Sequence, residues 1–131
     1  GDLTAISEMH RRLGDSFCIY SGDDPLTLPM LSLGAQGVVS VVSHVAGDTM
    51  QGLVQAFFEN DLQRARNYHE ALLPLMQGLF CAPSPAPTKA ALAQLGIQTG
   101  GLRLPLQPLA EDLNQELIQL LQTTQEKLKT V

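Results

Sequence analysis

The chain has 131 residues, enough for one compact domain or a part of a larger one. Hydrophobic residues make up 44% and charged residues 16%, which excludes a disordered chain. Eight Lys and Arg against 13 Asp and Glu give a net charge of -5, which excludes a general nucleic-acid binder while leaving room for a small anionic substrate.

Leu3, Ile6, Met9 and Leu13 fall at helical spacing and predict a helix over 3–13, with Asp2 as N-cap and Gly14 as a left-handed C-cap. Residues 17–20, Phe-Cys-Ile-Tyr, predict a short strand. The run is continuously apolar, the mark of a parallel strand buried on both faces. Residues 21–24 are a polar loop. Pro25 suits the first turn of a helix carrying Leu26, Leu28, Met30, Leu31 and Leu33 and stopping at Gly34, although Pro29 allows a start nearer Thr27. Residues 37–43 carry four valines and predict a second buried strand. Strand, helix and strand make one right-handed βαβ unit. Gly47-Asp48 opens a helix to about residue 59, with Met50, Leu53, Val54, Phe57 and Phe58 on one stripe. Asn60-Asp61 is a turn and cap before a long helix over 62–80. The prolines at 83, 85 and 87 predict an extended path over 82–87. A short helix over 88–95 ends at Gly96, residues 102–106 are extended, and a last amphipathic helix covers 109–128.

Two parallel strands have two open edges and do not make a stable sheet alone. The expectation is therefore the end portion of an α/β protein, with helices only after residue 59. Cys18 and Cys81 are far apart and flanked by apolar residues, so buried thiols in a reducing compartment are expected. Their spacing offers no zinc site. Gly1-Asp2-Leu3 lacks the basic opening of a signal peptide, and no apolar run approaches a membrane span. A cytoplasmic protein without membrane or nucleic-acid partners is the expectation.

The loop Ser21-Gly22-Asp23-Asp24 follows a parallel strand, at the end where α/β folds bind ligands. Its carboxylates can orient a polar substrate, or form a turn and cap the next helix. Ser40, Ser43 and His44 lack the nucleophile elbow of a hydrolase, and the serines more naturally bond neighbouring backbone. His10, His44 and His69 show no metal-ligand spacing. Lys89 opens a helix rather than ending a strand, which favours packing or an ion pair over a Schiff base. Arg103, between two leucines, can bury its stem and pair a carboxylate.

Several of these stretches together resemble the dihydrodipicolinate synthases. They are Tyr20-Ser21-Gly22-Asp23-Asp24, the run from Leu33-Gly34-Ala35 through Gly37-Val38-Val39-Ser40-Val41-Val42-Ser43-His44, Leu73-Pro74-Leu75, Pro85-Ala86-Pro87-Thr88-Lys89-Ala90-Ala91, and Arg103-Leu104-Pro105-Leu106-Gln107-Pro108-Leu109. N-acetylneuraminate lyase and other pyruvate-dependent lyases are similar in fold but less so at the Gly-Asp-Asp loop and the valine-serine stretch.

The resemblance implies the C-terminal portion of a (β/α)8 TIM barrel over 1–59, its last two strands with their helices, and a helical C-terminal domain over 60–131. It implies a lyase of lysine biosynthesis that condenses pyruvate with aspartate semialdehyde through a Schiff-base lysine, with no cofactor or metal. It carries three substrate-facing positions onto this chain. Val39 matches the position whose carbonyl lies beside the Schiff base, and Gly22 and Asp23 match the loop facing the aldehyde. Asp24 adjoins them, and Ser84 departs from the family's usual asparagine. No position matches the Schiff-base lysine or the proton-relay residues. The expectation is a segment inactive alone that associates with further copies or with the rest of the barrel. The alternatives are a non-catalytic assembly module and a segment of a sister aldolase such as N-acetylneuraminate lyase.

Overall fold

A computed structural model describes residues 1–129. It is mostly helical. Helix α1 (Leu3–Leu13) leads to strand β1 (Tyr20–Ser21), helix α2 (Thr27–Leu31) and strand β2 (Gly37–Val38). Helices α3 (Ser43–Phe58), α4 (Leu62–Gly78), α5 (Ala86–Gln94) and α6 (Glu111–Leu128) complete the chain.

Local chemistry sets the ends of these elements. The Asp2 carboxylate accepts the N–H groups of Thr4 at 2.8 Å and Ala5 at 3.3 Å, satisfying two of the free donors at the start of α1. Gly14 ends that helix in a left-handed conformation, and Arg11 and Arg12 complement its negative end while pairing with Glu8. The two arginines hold the Glu8 carboxyl below its ordinary pKa. Asp61 caps α4 by accepting the Arg64 N–H at 3.0 Å. Gly34 is needed where it stands, because its φ is +96° and a Cβ would come within 2.5 Å of the His10 ring. That contact seats α1 against the end of α2.

Both strands are shorter than the sequence predicts. Phe17 and Cys18 are exposed and outside the ladder, and Tyr20 is about half exposed, so Ile19 alone of that apolar run is buried. In the second run, Val41 and Val42 leave the ladder and lead into α3. The regular part of α3 starts where Gly47-Asp48 places it, because Ala46 is non-helical and separates a first turn from the main helix. Ala86 and Pro87 are helical rather than extended, since proline costs nothing in a first helical turn. Cys18 and Cys81 are both exposed, against the expectation of buried thiols. The last helix begins at Glu111, two residues after Leu109.

The main core joins α2 and α3 to the later helices. It holds Leu31, Val42, Met50 and Leu53 against Leu72, Leu75, Met76 and Leu79 of the α4 region, with Ala91, Leu117 and Leu121 closing it. A smaller cluster of Ile19, Met30 and Ala35 lies behind the strand pair, with Ile6 of α1 packed on it. The strands are thus backed by helices and open at the front.

Leu53 is fully buried in the main core. Leu53→Ala is expected to lower the unfolding free energy by about 2–5 kcal/mol. Leu62→Ala, at an exposed first helical position, should change it by less than about 0.5 kcal/mol. Urea unfolding of the two variants checks the difference; equal effects would place the core elsewhere.

Candidate functional site

β1 and β2 run parallel, with Tyr20 opposite Gly37 and Ser21 opposite Val38. One bond continues the ladder past Ser21: the Val39 N–H donates to the Ser21 carbonyl at 2.7 Å. Both segments therefore leave the ladder at their carboxyl ends, and Val39 emerges beside Gly22.

The first loop is tied down by its own serine. Ser21 is fully buried, and its Oγ donates to the Asp23 carbonyl at 2.7 Å and accepts the Asp23 N–H at 3.2 Å. The turn leaves Gly22 and Asp23 exposed. Gly22 does not adopt a left-handed backbone, and a Cβ there would meet nothing within 4 Å. Val39 is 74% exposed, unusual for a valine inside an apolar run. Gly22, Asp23 and Val39 thus share one open end of the strand pair.

Asp24 behaves differently from its neighbour. It is 3% exposed, and its Oδ2 accepts the N–H groups of Val41 at 2.9 Å and Val42 at 2.8 Å. Both N–H groups lie in the turn just before α3, where no backbone carbonyl serves them. The sequence reading of a cap on the next helix is not met, because the Asp24 carboxylate bonds the distant turn before α3 instead. The carboxylate so placed points inward, away from the open end where Gly22, Asp23 and Val39 are exposed. Asp24 Oδ1 and the Thr27 hydroxyl are buried with no hydrogen-bond partner among the described residues.

The other candidates are structural. The Ser40 Oγ accepts the Ser43 N–H at 2.9 Å, and the Ser43 Oγ donates to the Ser40 carbonyl at 3.0 Å, so both serines bond neighbouring backbone. Lys89 makes neither a packing-only contact nor an ion pair: its Nζ donates to the carbonyls of Thr99 at 3.2 Å and Gly101 at 2.8 Å, pinning the loop after α5. Arg103 is exposed and has no ion pair among the described residues. His10 lies 3.3 Å from the Asp15 carboxylate, and His69 is half-buried on α4, where desolvation pushes its imidazole below the ordinary pKa.

A parallel strand pair backed by helices, with two loops meeting at its carboxyl ends, is the ligand-binding arrangement of α/β barrel proteins. Residues 1–124 match the dihydrodipicolinate synthetase family. The 4-hydroxy-tetrahydrodipicolinate synthase of Listeria monocytogenes is 52% identical over 116 residues, 88% of this chain and 38% of that protein. Among solved structures, the dihydrodipicolinate synthase of Bacillus anthracis superposes with a TM-score of 0.89 at 43% identity, covering 93% of this chain and 42% of the other. The 4-hydroxy-tetrahydrodipicolinate synthase of Methylacidiphilum fumariolicum superposes with a TM-score of 0.95 at 41% identity, covering 99% and 43%. The chain belongs to the dihydrodipicolinate synthetase family, and its fold is the C-terminal portion of the TIM barrel with the helices that follow. It spans about two fifths of the length of these relatives.

Because Gly22 has room for a side chain and ordinary backbone angles, Gly22→Val should fold normally. Its thermal midpoint is expected to stay within about 2 °C of the parent, the scale of a neutral surface change. A fall as large as that of a core truncation would mean that the loop is packed, not open.

Proposed function

We propose that this chain supplies one wall of the site of a 4-hydroxy-tetrahydrodipicolinate synthase, a lyase of lysine biosynthesis that condenses pyruvate with aspartate semialdehyde. The observation that carries the reading is the shared open end of β1 and β2. It presents Gly22, Asp23 and the exposed Val39 side by side, in a chain about half identical to named synthases.

The chemistry requires a primary amine that attacks the pyruvate ketone and leaves a Schiff base after water departs. Loss of a methyl proton then gives an enamine, whose carbon attacks the aldehyde. In this reading the Val39 carbonyl lies beside the amine and pyruvate as a hydrogen-bond acceptor, and Gly22 and Asp23 face the aldehyde. The bare backbone at Gly22 lets that substrate approach.

The lysines of this chain are Lys89, Lys127 and Lys129. Lys89 uses its protons on two backbone carbonyls, and none of the three lies at the open end of the strands. The amine and the proton relay accordingly come from outside these 131 residues, and the chain alone is inactive. The exposed Phe17, Tyr20 and Val39 are surface that the rest of a barrel, or another copy, covers. The division at residue 59 marks the border of the barrel part, and the setting is the cytoplasm. That the matched relatives are named as synthases favours this substrate pair over that of the sister lyases.

A hybrid tests this. This chain replaces the matching segment of the Listeria monocytogenes synthase, and pyruvate-dependent condensation should persist within about tenfold of the parent, or about 1.4 kcal/mol in the barrier. A folded hybrid without activity would overturn the reading. The chain alone, incubated with pyruvate and borohydride and then weighed, should gain no mass. A stoichiometric adduct on Lys89 would contradict its assigned role.

A further inference from the structure

We propose that Asp24 is a positioning residue of this site: by holding the Val41 and Val42 N–H groups, its carboxylate fixes where the Val39 carbonyl stands against Gly22 and Asp23. The inference rests on the substrate-facing reading of those three residues.

The loop over 21–24 grips the turn over 39–42 at both ends. At one end the Ser21 carbonyl accepts the Val39 N–H at 2.7 Å. At the other, Asp24 Oδ2 accepts the N–H groups of Val41 and Val42 at 2.9 and 2.8 Å. The Val39 carbonyl and Ser40 lie between these two anchors, with no residue to spare. The two substrate-facing segments therefore form one unit, and a shift of the second anchor moves the Val39 carbonyl directly.

The second anchor is strong because it is buried and double: two N–H groups meet one oxygen where water does not reach to compete. It also uses backbone donors of the turn before α3 that no other acceptor serves. Asp23, exposed one residue earlier, makes no such bond with its side chain. Two adjacent carboxylates thus divide the work: Asp23 faces outward and Asp24 holds the frame.

The test uses amide resonances of the chain and turnover of the hybrid described above. Asp24→Ala should move the amides of Gly22, Val39 and Ser40 and remove the exchange protection of Val41 and Val42. Asp24→Asn keeps an acceptor oxygen and should restore most of both. Met30→Ala, in the neighbouring small core, should lower the melting temperature without moving those amides. In the hybrid, Asp24→Ala should lower kcat about tenfold to a hundredfold, the scale of a small misplacement. Asp24→Asn should recover most of that, and Met30→Ala should leave kcat unchanged where it is folded. Native Gly22 and Val39 resonances in Asp24→Ala, or an equal kcat loss in Met30→Ala, would overturn the proposal. If Asp24→Ala does not fold, the parent and Asp24→Asn decide it. Val41 and Val42 should be protected in both and displaced upfield in the asparagine variant, and fast exchange in the parent would overturn it. A hybrid with no activity would sink the substrate reading, and the resonances would still decide the role of Asp24.

Discussion

The Asp24 carboxylate is buried, and a buried carboxylate is costly unless strong donors meet it. Here the donors are the N–H groups of Val41 and Val42, which need an acceptor as much as the carboxylate needs donors. Much of the strand region depends on this exchange. It ends the second strand early and starts α3. It also brings the loop after β1 against the turn after β2. Val42, held there by its N–H, places its side chain fully inside the main core beside Met50 and Leu53. Helix α2 begins one short turn after Asp24 and sends Leu31 into that core and Met30 into the smaller one. Packing behind the strands and the open face in front of them are thus linked through one side chain.

Periodicity and capping rules made most helices legible. Asp2 and Gly14 bound α1 where their chemistry places them, and Asp61 caps α4. Gly47-Asp48 marked the start of regular α3 because the turn before it breaks at Ala46. The strands were less legible, for a physical reason. Residues 37–43 are uniformly apolar, and nothing local says that Val41 and Val42 give their N–H groups to an aspartate 17 and 18 residues earlier. A run of valines reads as strand until that long-range acceptor is known. The cysteines misled similarly, since apolar neighbours imply burial only where another layer covers them, and Cys18 and Cys81 have none.

At the candidate site, the convergence of Gly22, Asp23 and Val39 was legible through family resemblance rather than spacing. The division between Asp23 and Asp24 was not. Both are acidic, adjacent and at the end of a strand, and only burial tells them apart. The one available signal was the position of Asp24 immediately before Pro25. It marked a helix start without showing which helix the carboxylate would serve. Thr27, fully buried one turn later, shows that this stretch is packed inward while the two residues before it face outward.

The central claim is spatial: that the open end shared by Gly22, Asp23 and Val39 is where pyruvate is held. The most direct measurement is a crystal structure of the hybrid synthase after borohydride reduction in the presence of pyruvate. The account predicts that the trapped pyruvyl group lies within hydrogen-bond or van der Waals contact of the Val39 carbonyl, with Gly22 and Asp23 lining the adjoining space. A trapped adduct elsewhere in the barrel, with the ends of β1 and β2 facing only solvent or packed protein, would contradict it.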